Sequence, residues 1–340
     1  MGVGPASANR AVPAPAVAWN GSWALLGGLC SVPAVIVAFS DPTLGVALAV
    51  GVLPAAATGV LPRRRDRSAC LVVGAAIGAG LVLGAALATH AVAAVVTIFL
   101  LCLGAAVLAG RLAVGRLLMV LAVPMVGAGL SFSDVGTAVE VAGVLVLGSA
   151  YGWLVALAWP AHDGPEPVRP RPQPSEVLLG YGVRLGLAGA VCAGVGFALD
   201  LDHKGWATAA CLLVMRPTPE LTRLRGAGRA GAVTVGALAA MLLAATDPPP
   251  AVVAVAICAA LTGLAGTRAS RWYVTGGFTT FLVILLLALT SPGTGPSRFG
   301  ERVLETLLGV GVALVFGVLV PSLRQPHVPA EPGATGTAPP

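Results

Sequence analysis

The chain has 340 residues and an apolar composition: 57% of the residues are hydrophobic, 10% are charged, and the mean hydropathy is +0.91. Ordinary soluble domains carry roughly 25% charged residues. The composition therefore excludes an ordinary soluble domain and predicts a chain that crosses a membrane several times. The net charge is +6, but the basic residues are spread over many short loops. This spread argues against nucleic acid as a partner, because a nucleic-acid interface concentrates its basic residues in one patch.

The two ends of the chain have compositions of their own. Residues 1–20 are rich in Pro and Ala, with a lone Arg10, and they lack the basic start and cleavage site of a secretory signal. Residues 323–340 are rich in Pro, Gly and Thr. Such segments cannot bury enough apolar surface to fold, so we expect a retained, disordered N-terminal arm and a disordered C-terminal tail.

Twelve apolar runs approach the length of about 20 residues that crosses a bilayer as a helix. The sequence therefore predicts an all-α membrane protein with about 12 transmembrane helices. The first six runs are 22–39, 43–61, 69–88, 91–109, 117–130 and 139–159. The second six are 177–199, 205–216, 230–245, 251–265, 275–290 and 303–320.

The two sets of six runs have the spacing of a duplicated unit. We expect a first six-helix unit at residues 21–160, a Pro-rich cytoplasmic linker at 161–176 and a second unit at 177–322. Because each unit has an even number of crossings, the two would face the same way, with a transport pathway at their interface. Three residue pairs keep a spacing of 161: Glu140 and Glu301, Gly148 and Gly309, and Pro160 and Pro321.

Loop charges predict the orientation, because cytoplasmic loops collect Lys and Arg. With both termini in the cytoplasm, only Lys204, Arg298 and Arg302 of the 20 lysines and arginines fall outside. The sequence thus predicts a multi-pass protein of the plasma or inner membrane. The membrane lipids would be direct partners of the protein, since arginines that lie near an anionic membrane surface, such as Arg229, contact lipid headgroups.

Several motifs follow one another in the second half. Residues 200–208 read DLDHKGWAT and lead to Arg216-Pro217, and residues 225–236 read RGAGRAGAVTVG. Phe278-Thr-Thr280 and the pattern Arg302-x-x-Glu305-Thr306-x-x-Gly309 come later. In this order, across about residues 180–320, they resemble the motifs of fusaric-acid-resistance-type membrane transporters. In the first half, Asp41-Pro-Thr43 stands where the His203 to Trp206 motif would be.

The resemblance implies a transporter that exports small organic or aromatic carboxylate anions, and it implies a homodimer. We expect proton-coupled export, because the sequence has no nucleotide-binding P-loop. An anion channel on the same scaffold is one alternative. Another is a non-transporting assembly partner in an envelope complex, for example with a periplasmic adaptor.

His203 is a candidate for proton coupling or gating, because histidine changes charge near physiological pH. Asp200 and Asp202 would favour its charged form, and Trp206 is its motif neighbour. The alternative is an interfacial histidine that caps a short helix beside a tryptophan of the aromatic belt. Arg184, about 10 Å into the seventh run by the helical rise, would bind an anion or extend to the inner interface.

Other candidates come from charge and from helix-breaking residues. Arg302 and Glu305 would form a gate ion pair, although a helix N-terminus also favours glutamates such as Glu140, Glu301 and Glu305. Pro217, like Pro54 in the first half, marks either a broken transport helix or an ordinary helix end. Arg229 would attract an anionic substrate or contact lipid headgroups, and the resemblance adds Thr280.

The sequence contains no constellation typical of a cofactor or of catalysis. Its six cysteines lie in or beside apolar runs without a CxxC pair, which is typical of buried thiols. No metal-ligand spacing and no nucleophile elbow is present. We therefore expect neither a cofactor nor an enzymatic activity.

Overall fold

The computed structural model describes residues 17–59, 61, 63–111, 118–132, 134–160, 175–201, 203–271, 273–290 and 295–320. These residues are helical apart from turns and short connections. Most of the predicted N-terminal arm, linker and C-terminal tail lies outside the described residues. Those three assignments therefore stay predictions.

A helix is present at each of the twelve predicted positions, and the second is in two pieces. In the first half the helices are α1 Gly21–Ala38, α2 Pro42–Gly51, α3 Leu53–Thr58, α4 Ala69–Leu87, α5 Ala91–Arg111, α6 Val123–Gly129 and α7 Val135–Leu157. In the second half they are α8 Ser175–Ala198, α9 Trp206–Val214, α10 Pro219–Ala244, α11 Pro250–Gly266, α12 Tyr273–Thr290 and α13 Gly295–Leu314.

Eight helices in the described part are long and apolar enough to cross a membrane, namely α1, α4, α5, α7, α8, α10, α12 and α13. The others are shorter, and α9 has only 9 residues, about 13 Å at 1.5 Å per residue. The number of twelve crossings therefore stays a prediction. The ninth run was placed too late at 230–245, because hydropathy misses the polar first turns of α10, which begins at Pro219.

The second predicted span is interrupted at Val52, which lies between α2 and α3. Pro54 is in the first turn of α3, where the missing backbone donor costs least and the ring prevents continuation from the preceding helix. The interruption predicted from Pro54 is thus present.

The two halves are joined by two close helix pairs, α1 with α11 and α5 with α8. Glycines bring the backbones together. A Cβ at Gly27 of α1 would lie 2.8 Å from the Cβ of Ala265, and one at Gly186 of α8 would lie 3.0 Å from the carbonyl oxygen of Phe99. Small residues permit such close approach where lipid removes the hydrophobic drive for association.

The same helix pairs recur within each half. Helix α4 packs against α6 and α7, and α10 packs against α12 and α13; likewise α1 contacts α2, and α8 contacts α9. Gly148 of α7 lies against the backbone at Gly51 and Val52, and Gly309 of α13 lies against the backbone at Ala207. A duplicated unit would produce this correspondence.

Arg67 is a buried structural residue, with 2% of its surface exposed. Its guanidinium donates to the carbonyls of Ala156 and Trp159 at 2.7 Å and of Pro160 at 2.9 Å, and its Nε donates to Leu61 at 2.8 Å. These contacts hold three carbonyls at and just beyond the C-terminal end of α7, where carbonyls lack partners within the helix. In the sequence, Arg67 counts only among the loop charges, and no local signal indicates this role.

The outer faces of the helices are apolar. Large side chains with high exposure include Val92 at 79%, Leu147 at 71%, Val255 at 68% and Leu304 at 68%. Monomeric soluble proteins rarely expose so much continuous apolar surface. A hydrocarbon environment around the helices accounts for it.

Candidate functional site

Polar side chains collect inside the second half, where α13 packs against both α9 and α10. Glu305 and Thr306 of α13 are 4% and 1% exposed, and His203 before α9 is 8% exposed. Arg302 of α13 and Arg229 of α10 are half-buried. With Glu301, Trp206 and Thr208 they form what we call the polar cluster.

The connection before α9 is held inward by a close backbone contact. The Gly205 N–H donates to the Ser131 Oγ at 3.1 Å, and Gly205 lies directly against the carbonyl of Gly127 in α6. A side chain at position 205 would displace one of the two backbones. Gly205 therefore fixes the start of α9 and the depth of His203.

His203 and Arg302 both contact the ring of Trp206. The rings of His203 and Trp206 are stacked with centroids 3.9 Å apart and an interplanar angle of 21°. The Arg302 guanidinium lies 4.2 Å from the Trp206 ring centroid, a cation–π contact. The Nδ1 of His203 is 3.6 Å from the Oε2 of Glu301. Trp206 is 8% exposed, so these contacts leave little of its ring accessible.

Two arginines from different helices come together in the cluster. Arg229 lies on the buried face of α10 that also carries Thr222, Gly226 and Val233. Arg302 is close enough to Arg229 for repulsion and to Glu305 for attraction. The Nε atoms of both arginines are buried and have no hydrogen-bond partner among the described residues.

Two threonine hydroxyls of the cluster differ from those of Thr234 and Thr279. A helical threonine commonly donates to the carbonyl four residues earlier, as Thr234 and Thr279 do at 2.9 and 3.1 Å. The hydroxyls of Thr208 and Thr306 are buried and make no hydrogen bond within the described structure. They are free to donate to a ligand.

Asp200 is not part of the cluster, which corrects one expectation. It is exposed in a left-handed conformation with φ of 46° and pairs with the Nζ of Lys204 at 2.8 Å. The hydrogen bond from Lys204 and its charge lower the pKa of Asp200. Among the described residues, Glu301 is a carboxylate that faces His203, whereas the left-handed turn directs Asp200 outward. Asp202 lies outside the described residues.

Arg184 lies apart from the cluster. Its Nε donates to the Gly180 carbonyl at 3.3 Å, one turn toward the start of α8. It lines a groove of about 390 Å³ with Phe316 and Val320. Binding of an anion by Arg184 stays a prediction.

Pro217 lies in the connection between α9 and α10, and Thr280 lies on α12. Pro217 follows the end of α9, where the Met215 carbonyl accepts a hydrogen bond from Tyr181 at 2.9 Å. The terminal carbonyl is therefore satisfied, as in an ordinary helix end. Thr280 is buried on α12, which packs mainly against α10.

The glutamates do not cap helix N-termini, contrary to one expectation. The N-cap of α7 is Asp134, whose Oδ2 accepts from the Thr137 N–H at 2.8 Å, whereas Glu140 lies within the helix. Glu301 and Glu305 lie well inside α13, which begins at Gly295. The apolar runs began too late at these two helices, so the glutamates were placed too near the ends.

The cluster belongs to one half only. At the repeat spacing, Val141 and Val144 stand in the first half where Arg302 and Glu305 stand in the second.

A separate apolar groove of about 710 Å³ lies between α10, α11 and α12, lined by small residues and by Tyr273 and Phe278. No group of three metal-ligating side chains occurs in the part of the chain that the structure describes.

Comparison with known families agrees with the motifs. Residues 191–316 match the family described as fusaric acid resistance protein-like. The matched stretch runs from within α8 to just beyond the end of α13 and contains the whole polar cluster. No curated protein and no solved structure matches the chain.

The match confirms the resemblance to the fusaric acid resistance protein-like family over this stretch. Together with the eight long apolar helices in the described part of the chain, it supports a multi-pass membrane protein. The polar cluster lies within the part that this family describes. Its two half-buried arginines suit an anion, and its histidine can exchange protons.

Proposed function

We propose that this protein is a secondary transporter that exports small organic anions from the cytoplasm in a proton-coupled cycle. The observation that carries the proposal is that Arg229 and Arg302 both have buried Nε atoms without a hydrogen-bond partner among the described residues, inside the half that matches the transporter family. Ionisable residues within membrane helices are costly, and they commonly mark a substrate or ion pathway.

The carboxylate class of the cargo follows from the chemistry of the pair and from the family resemblance. Arginine binds carboxylates through planar, charge-assisted hydrogen bonds. His203, facing Glu301 at 3.6 Å, is the group that we assign to proton coupling. Arg302 with Glu305 would be the ion pair that opens when cargo binds.

We further propose twelve crossings, arranged as two like-oriented six-helix units with both termini in the cytoplasm of a plasma or inner membrane. The recurrence of helix contacts in the two halves supports the duplication. The matched close approaches at Gly148 and Gly309 also support it. A homodimer, contact with a periplasmic adaptor and lipid contacts of the inner arginines are further proposals that rest on the resemblance and the loop charges.

The cluster's position suggests a change to the pathway. The duplication predicts a route at the interface of the two units, whereas the polar cluster lies between α9, α10 and α13 of the second unit. We therefore propose that cargo passes through the second unit. The first unit has valines at the counterparts of Arg302 and Glu305, and it supports the second through α1 and α5.

The proposal is tested with purified protein in proteoliposomes. Efflux of radiolabelled benzoate should require the protein, should respond to an imposed pH gradient and should be lost in Arg302→Gln. Arg223→Gln is the matched control, because Arg223 is an exposed arginine of α10. Benzoate flux with a large current and no dependence on pH would establish the channel alternative. An absence of flux for aromatic and aliphatic carboxylates alike would favour the assembly role.

A further inference from the structure

We propose that Arg229 and Arg302, with the Thr306 hydroxyl, form a single oxyanion subsite in the second half, and that anion binding there is accompanied by uptake of one proton. The inference rests on the proposed function, which it deepens by naming the recognising groups and the coupling. The site would bind the carboxylate group of the cargo and not its hydrocarbon part.

The free donors point to a ligand with acceptor oxygens. Arg229 Nε, Arg302 Nε and Thr306 Oγ1 are buried and make no hydrogen bond in the described part of the chain. Thr306 is 1% exposed and lies one helical turn beyond Arg302 on α13. Buried donors are rarely left without an acceptor in native proteins. A carboxylate supplies two acceptor oxygens and a charge that offsets the repulsion between the two guanidinium groups.

Trp206 is not available as a platform for an aromatic cargo. Its ring is already contacted by the imidazole of His203 at 3.9 Å and by the guanidinium of Arg302 at 4.2 Å. With 8% of its surface exposed, a second ring could stack on it only after displacing one of these groups. Selection at this site therefore depends on the carboxylate, and an aliphatic acid should bind about as well as an aromatic one.

The charges of the cluster set the proton count. Arg229 and Arg302 contribute two positive charges, and Glu301 and Glu305 contribute two negative charges, so the ionised groups sum to zero. An added monoanion leaves one uncompensated negative charge in this partly buried site, which is unfavourable. A proton on His203, the group that we assign to proton coupling, removes it. Lys204 is engaged by the exposed Asp200 and does not provide this compensation.

Isothermal titration calorimetry of the full chain in detergent tests both parts of the inference. Benzoate and propionate are titrated separately, in buffers of different ionisation enthalpy, so that the dependence of the heat on the buffer counts the protons. We expect about one proton taken up per anion. Because one proton binds with each anion, the benzoate Kd should rise about tenfold for each unit of increasing pH over the range in which a full proton is taken up. Binding without proton uptake would overturn the coupling.

Variants test the location of the subsite. Arg302→Gln and Arg229→Gln should each raise the benzoate Kd about tenfold or more, because each removes a charge-assisted donor. Arg302→Lys keeps the positive charge and should bind benzoate with intermediate affinity. That result would show that the loss of binding in Arg302→Gln is not due to misfolding. Arg223→Gln is the control with the same change of net charge on α10. An unchanged Kd in both folded Gln variants would place the site elsewhere.

The outcome separates this inference from the proposed function. Benzoate binding with proton uptake but no flux in proteoliposomes would retain the subsite and reject transport. Flux that persists in Arg229→Gln and Arg302→Gln would retain transport and reject the subsite. A benzoate Kd at least tenfold lower than that of propionate would reject recognition through the carboxylate alone.

Discussion

Substitution of Gly309 by alanine probes the contact on which the polar cluster depends. The added Cβ would lie 2.9 Å from the Cβ of Ala210 and 3.0 Å from the backbone nitrogen of Cys211, and closer still to the carbonyl oxygen of Ala207. Since backbone cannot rotate away as a side chain can, α9 and α13 must separate. This separation would move Trp206 away from Arg302.

The magnitude follows from two opposing effects. Overpacking in a well-packed interior costs about 1–3 kcal/mol, whereas alanine in place of glycine within a helix gains about 0.5–1 kcal/mol. We expect Gly309→Ala to lower the free energy of unfolding by about 1–2 kcal/mol. Gly311→Ala on the same helix has open space around its Cβ, so it should instead stabilise by about 0.5–1 kcal/mol.

The assay is unfolding in mixed micelles, followed by circular dichroism, together with the benzoate Kd of each variant. Gly148→Ala is the matched variant in the first half, where the Cβ would lie 2.8 Å from the backbone nitrogen of Val52. It should be destabilised to a similar extent with an unchanged Kd, whereas Gly309→Ala should bind several-fold more weakly. Equal stability of Gly309→Ala and Gly311→Ala would refute the packing argument.

Three further predictions concern other parts of the molecule. Arg67→Ala should lower the free energy of unfolding by about 2–4 kcal/mol, because it removes the donor to three carbonyls around the end of α7, those of Ala156, Trp159 and Pro160. Removal of the Asp134 cap should destabilise α7 in a pH-dependent way. Hydrogen bonds from Thr137 lower the pKa of Asp134, so its contribution is complete above the unfolded pKa of about 3.9 and disappears as the pH falls through the lowered pKa. His203→Ala should abolish the pH dependence of benzoate transport between about pH 5.5 and pH 8.

Each of these has its own control and contrary result. For Arg67 the control is Arg65→Ala, at a side chain that is 78% exposed, where a change within about 0.5 kcal/mol is expected; equal losses would contradict the capping role. Asp134→Asn keeps an acceptor and should retain stability without the pH dependence. If the melting temperature of Asp134→Ala stays below that of the unaltered protein at the lowest pH, the proposed link between the Asp134 charge and stability is contradicted. Wild-type pH dependence in His203→Ala would remove His203 from the coupling.

The helices and the family could be recognised from the sequence because apolar runs and short motifs are local signals. Pro54 indicated the interruption that the structure shows at Val52. Helix ends were less accurate, since polar first turns such as those before Arg229 in α10 do not register as apolar. The glutamates of α13 were misplaced for the same reason.

The composition of the polar cluster depended on tertiary contacts that sequence patterns do not contain. Adjacency in sequence suggested Asp200 and Asp202 as partners of His203. A left-handed turn points Asp200 to solvent, and Glu301 from a distant helix faces His203 at 3.6 Å. The capping role of Arg67 joins residues about ninety positions apart. Only the fold shows that Thr306 makes no bond with its own helix.

The central claim is that one anion binds between Arg229 and Arg302 in the second half. Crystals grown with 4-bromobenzoate would locate the bromine directly through its anomalous scattering. The account predicts a single strong peak per chain within the polar cluster, with the carboxylate in contact with both guanidinium groups and the ring away from Trp206. A peak between the two halves, or in the apolar groove beside Tyr273 and Phe278, would contradict it.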